Sequence, residues 1–182
     1  MLNLILGFSP FIVFSILTQL SMNMALWLAF AAAFVISIRD FVETRALKLL
    51  DMGSLVLFGL MALYTGFVQQ DLSFGAVRLM VDIGLLLLVC GSLLRRQPFT
   101  LQYARETVPQ ELWAAPLFLR VNYIITAVWA LAFVIMTIAD ALATFDSSFP
   151  VIVSVAVGVL SLAGALTFTL RYPIYVQRHP PS

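Results

Sequence analysis

The chain has 182 residues, 62% of them hydrophobic and 10% charged, with a mean hydropathy of +1.04. Soluble domains run nearer a quarter charged, so this chain has too little polar surface to cover a water-soluble globule. A net charge of +1 excludes a basic nucleic-acid binder and an acidic disordered tail, and the single cysteine, Cys90, excludes an intrachain disulfide or a cysteine-based zinc site.

A helix crosses a hydrocarbon core of about 30 Å with roughly 20 mostly apolar residues. Six stretches meet that requirement, at about 4–20, 22–38, 53–68, 75–94, 117–139 and 149–170. Open strands would leave backbone groups unpaired in lipid, and the runs lack the alternation of a barrel. The expected fold is therefore all-α, a polytopic bundle of six transmembrane helices forming a single domain. The first stretch has no basic flank and no small-residue cleavage site, so it is expected to remain as a span rather than be removed as a signal peptide. Pro10 is expected to kink it or to start a short helix there.

Charge placement sets the orientation. Arg39, Arg45 and Lys48 follow the second span, Arg95, Arg96, Arg105 and Arg120 follow the fourth, and Arg171 and Arg178 follow the sixth. With six spans, these nine of the ten basic residues fall on one side, opposite Asp71, Asp140 and Asp146. The positive-inside rule then puts both termini in the cytoplasm. Tyr103, Trp113, Tyr123, Tyr172 and Tyr175 gather at the same boundary, where amphipathic rings favour the headgroup layer.

Helices in lipid associate through close backbone approach and polar contacts. The sixth span carries Ser154, Gly158, Ser161, Ala165 and Thr169 on one face, the third carries Gly59, Ala62 and Gly66, and the fourth carries Gly84 and Gly91. These faces are expected to pack inside the bundle, with a homo-oligomer as the alternative.

Arg78 and Asp82 are the one acidic–basic pair within a span, four residues apart and so on one helix face. They form either an ion pair holding the fourth helix to its neighbours or a polar site lining a path. Asn122 and Thr126 share a face of the fifth span and read as interhelical hydrogen bonding. The segment 95–116 mixes Arg95, Arg96 and Arg105 with Tyr103 and Trp113. It is too polar to span and too apolar to float, so it reads as an interfacial cytoplasmic elbow, a surface for a protein partner or for lipid headgroups. Within it, Thr107 to Gln110 resembles a capping box opening a short helix.

No catalytic signature is present. The only histidine, His179, lies among prolines near the C-terminus, and no zinc motif, phosphate-cradling glycine loop or nucleophile constellation occurs. Cys90 reads as a small packing residue. No enzyme activity, cofactor or metal is expected.

The pattern resembles the bacterial intracellular septation protein A family of inner-membrane proteins. The similar positions are Phe8-Ser-Pro-Phe-Ile-Val-Phe14, Phe58-Gly59 within 55–68, Gln97-Pro98, Val108-Pro-Gln-Glu-Leu-Trp113, Arg120-Val-Asn122 and the tail at His179-Pro180. The segment 99–105 has no clear counterpart. The resemblance implies a non-enzymatic scaffold or interaction protein of the bacterial inner membrane, acting in cell-envelope maintenance and division through membrane protein partners. The residues leave two other roles open, a small transporter or channel using Arg78 and Asp82, and an accessory subunit of a larger membrane complex.

Overall fold

A computed structural model describes residues 2–18, 20–68 and 72–179. Asp71, placed by the charge pattern on the acidic side, lies outside them. The described residues are helical and contain no strand. The helices are α1 (Leu2–Gly7), α2 (Ser9–Leu17), α3 (Met22–Thr44), α4 (Leu49–Phe67), α5 (Phe74–Leu94), α6 (Phe99–Ala104), α7 (Pro116–Phe145) and α8 (Val151–Arg178), with a 3₁₀ turn at Gln110–Leu112. Five of them, α3, α4, α5, α7 and α8, are long and apolar enough to cross a membrane. Large side chains such as Ile16, Met24, Val35, Leu60, Leu87, Leu131, Ile152 and Leu160 are exposed along the helices. A water-soluble protein does not expose so much apolar surface, whereas lipid accepts it.

The first expected span is two short helices. Pro10 has no N–H and enters at the start of α2, where a missing donor costs least, so the helical ladder restarts there. Neither piece is long enough to cross alone. The Asn3 side-chain oxygen nevertheless accepts a hydrogen bond from Arg39 Nη2 at 3.4 Å. The start of α1 is thus level with the end of α3, and α1 and α2 together run back along the apolar length of α3.

The chain divides into two compact units, and the division falls within α5. In the unit Leu2–Leu88, α3 turns a row of small residues inward: Ala25, Ala29, Ala33 and Ser37, each four apart and all buried. Facing them, α4 buries Ser54, Phe58, Ala62 and Thr65. Phe58 anchors an aromatic cluster, with ring centroids 4.9 Å from Phe11 and 5.6 Å from Phe14. Helices α4 and α5 exchange leucines for glycines. A Cβ added at Gly84 would sit 2.6 Å from Leu57 Cδ1, and one at Gly53 would collide with Leu88.

In the unit from Val89 onward, α7 and α8 form an antiparallel hairpin. Trp129 Nε1 donates to Thr169 Oγ1 at 3.0 Å, and Thr169 donates in turn to the Ala165 carbonyl at 2.8 Å. The short α6 lies against α7. Thr100 Oγ1 is 2.8 Å from Thr126 Oγ1 and donates to the Asn122 carbonyl at 3.1 Å, while Phe99 meets Trp129 edge-on. Helices α7 and α8 have 30 and 28 residues. At about 1.5 Å per residue each exceeds the hydrocarbon core by roughly ten residues. Their far ends meet at the short 146–150 turn; α8 continues past its apolar run at the end that bears Arg120, Arg171 and Arg178, whereas α7 continues past its own run toward Asp146. The apolar runs ended sooner in the sequence, at 139 and 170, because the helices continue into polar residues and α8 carries Pro173 within it.

Candidate functional site

The most concentrated chemistry lies where α3 passes into α4, in residues first read only as loop charges. The apolar run ends at Ile38, but α3 continues to Thr44 before Arg45 stops it in the left-handed conformation, at φ 55°. The linker therefore shortens to four residues, 45–48, and brings the end of α3 against the start of α4. Asp40 is shared. Its Oδ1 accepts from Arg39 Nη2 at 2.5 Å and Nε at 3.0 Å, and its Oδ2 pairs with Lys48 Nζ. Asp40 and Lys48 are 2% and 3% exposed. Arg39 is partly exposed and also reaches Glu43 at 3.7 Å. Asp51, itself buried, lies within electrostatic reach of Arg39. Desolvating either charge alone costs several kcal/mol, and their mutual attraction offsets this only while both are present. Lys48 is the one lysine in the sequence. An acid eight residues before that lysine, across a turn, is the signal that could have marked the pair.

Of the pair expected in the fourth span, Asp82 is buried in α5 at 6% exposure, and the Arg78 guanidinium lies 5.6 Å from the Phe74 ring centroid. Cation and ring, four residues apart, share one helix face.

The elbow carries folded structure of its own, α6 and the 3₁₀ turn. Tyr103 was expected on its surface but is buried at 3% exposure and packs edge-on against Phe99, because α6 turns that side toward α7. Ser92, also buried, accepts the Phe99 N–H and fixes the entry to α6. The expected capping box does not form. Pro109 precedes the 3₁₀ turn with no side-chain cap, and Thr107 Oγ1 donates backward to the Ala104 carbonyl at 3.1 Å. Two other elbow residues do meet. Trp113 Nε1 donates to the Val108 carbonyl at 3.0 Å, and the Arg105 guanidinium stacks 5.2 Å from the indole centroid. Arg95 and Arg96 are exposed beyond α5, with Arg96 at φ 56°.

The small-residue faces divide in outcome. On α8, Ser154, Gly158 and Ala165 are buried and Ser161 is half-buried. A Cβ at Gly158 would stand 4.0 Å from Met136 Cε, ordinary contact with α7. On α4, Ala62 is fully buried and a Cβ at Gly59 would press on the Phe30 ring at 3.0 Å. At Gly66 and Gly91 an added Cβ would meet nothing within 4 Å among the described residues. Asn122 and Thr126 are buried. Thr126 bonds to α6, while the Asn122 amide donates within α7 to the Phe118 carbonyl at 2.9 Å.

At the other end of the hairpin, Asp146 accepts from the Ser148 hydroxyl and from its N–H at 2.9 Å. These bonds, the hydroxyl's foremost, hold its carboxyl below the usual carboxylate range. No group of three or more potential metal ligands occurs among the described residues. Cys90 is a half-buried free thiol, and exposed His179 stacks on Tyr175.

Comparison with protein families, curated proteins and solved structures finds no match.

Proposed function

We propose that this protein is a non-enzymatic scaffold of the bacterial inner membrane, binding division or envelope-synthesis proteins as the septation family resemblance implies. In this reading the broken α1–α2 segment completes a sixth crossing and both termini are cytoplasmic. The level match of Asn3 with Arg39 and the gathering of basic residues at alternate helix ends support that topology.

The observation that carries the scaffold reading is the Arg105–Trp113 turn. Trp and Arg dominate the energetics of protein interfaces, and they do so best when held in place before binding. Here the indole is fixed by the Val108 carbonyl and the guanidinium by the indole face. Recovery of membrane partners in a pulldown should drop at least tenfold with Trp113→Ala and severalfold with Arg105→Ala, with a matching envelope or division defect. Unchanged recovery and an unchanged phenotype would refute the reading.

Burial of Asp82 one turn beyond Arg78 favours a second reading, a small transporter or channel. Flux through reconstituted protein that ignores Asp82→Asn and Arg78→Gln would eliminate it.

A further inference from the structure

We infer that the arginine-bearing end of the α6–α8 unit is a binding surface for the phosphates of anionic phospholipids. Six arginines converge there: Arg95 and Arg96 after α5, Arg105 after α6, Arg120 near the start of α7, and Arg171 and Arg178 at the end of α8. All six are exposed, and none forms an ion pair among the described residues. The hairpin register brings Arg120 and Arg178 to one end, because the Trp129–Thr169 bond lies nine residues after Arg120 and nine before Arg178. The bond from Thr100 to the Asn122 carbonyl holds α6, between Arg96 and Arg105, against the same end of α7. The acids at this end are Glu106 and Glu111, so six positive charges less two negative leave +4. Around Asp140 and Asp146 the opposite end has no basic residue.

Three features select a lipid over a soluble anion. α8 continues eight residues past its apolar run, which carries Arg171 and Arg178 beyond it, and Arg120 lies only four residues after the start of α7, so all three stand where a headgroup layer would meet the helices. Exposed Leu117, Leu170, Ile174 and Tyr175 stand among those arginines, as a surface touching both phosphate and acyl chain requires. The exposed cations of this end are all arginine, whose planar fork meets two phosphate oxygens at once, while the chain's single lysine is buried in the other unit. The inference shares only Arg105 with the partner reading, whose Arg105–Trp113 turn fails or survives in the pulldown and is touched by none of the variants below.

The test uses the full chain in bilayer discs of phosphatidylglycerol and phosphatidylcholine in equal amounts, with retained lipid identified by native mass spectrometry. Phosphatidylglycerol should be enriched on the protein. Arg95→Gln with Arg96→Gln, and separately Arg171→Gln with Arg178→Gln, should each lower that enrichment about tenfold, since a basic residue at the surface attracts anionic lipid severalfold. Arg45→Gln, in the other unit, should leave it unchanged. Melting in pure phosphatidylcholine discs, expected to match the parent chain, verifies that both double variants fold. Equal retention of the two lipids, or enrichment that survives both double substitutions, would overturn the inference. Displacement of the lipid by inorganic phosphate, or a co-purifying protein in its place, would also overturn it.

Discussion

Between α3 and α4, Lys48 is buried and Arg39 turns to the same carboxylate, whereas after α5, before α7 and along the end of α8 the basic residues stay outside. The first group is self-neutralising. Arg39, Arg45 and Lys48 share thirteen residues with Asp40, Glu43 and Asp51, and the tight turn brings Asp40 onto Lys48 and Arg39. The second group has six arginines to two glutamates and no carboxylate placed to pair with them among the described residues. Basic residues beside an apolar run thus do different work in the two units. A carboxylate within reach makes them an internal clamp on a helix hairpin. Without one they become a surface.

This contrast sets the order of expected effects. Asp40→Ala removes the carboxylate that pairs with the buried Lys48 ammonium and should destabilise the protein by about 3–5 kcal/mol in denaturant unfolding from detergent. Adding Lys48→Met should restore most of that loss, and a single-variant loss below about 1 kcal/mol would erase the distinction between the units. Thr100→Val breaks a neutral buried bond to Thr126, and the same assay should register about 1 kcal/mol, with strong non-additivity against Thr126→Val. Arg171→Gln with Arg178→Gln alters an exposed, unpaired surface. Stability should stay within about 0.5 kcal/mol of the parent chain even as lipid preference changes, and a loss as large as that of Asp40→Ala would show these arginines to be structural. Ser148→Ala is the smallest change. It should let the Asp146 carboxyl rise toward the ordinary carboxylate range in a titration followed by NMR. Because the folded-state value is depressed, the stabilisation from Asp146 is present above the unfolded value. It is lost as pH falls through the lowered one.

Much of the fold was legible from hydropathy alone. The runs at 22–38, 53–68, 75–94, 117–139 and 149–170 each coincide with a continuous helix. Helix ends were less legible, because a helix held by neighbours does not stop where its apolar run stops. Thus α3 carries Arg39 and Asp40 within it, and α8 passes Pro173 to reach Arg178. Candidate sites fared unevenly for a related reason. Trp113 and Arg105 meet because they flank a compact turn, but Tyr103 is drawn inward by α6, a six-residue helix too short for a periodicity signal. The Asp40–Lys48 pair was only hinted at by its eight-residue spacing, because the contact depends on where Arg45 ends a helix, a fact of backbone conformation rather than composition.

The contrast between clamp and surface is tested most directly by chemical labelling of the intact protein in a bilayer. Lys48 is the only lysine side chain, so a water-soluble amine-reactive reagent reports on it at a single peptide. A dicarbonyl reagent reports likewise on the arginines. Lys48 should remain unmodified until Asp40→Ala is introduced, while Arg95, Arg96, Arg171 and Arg178 are modified in the native protein. Rapid acylation of Lys48 in the unaltered chain, or protection of those four arginines, would contradict the account.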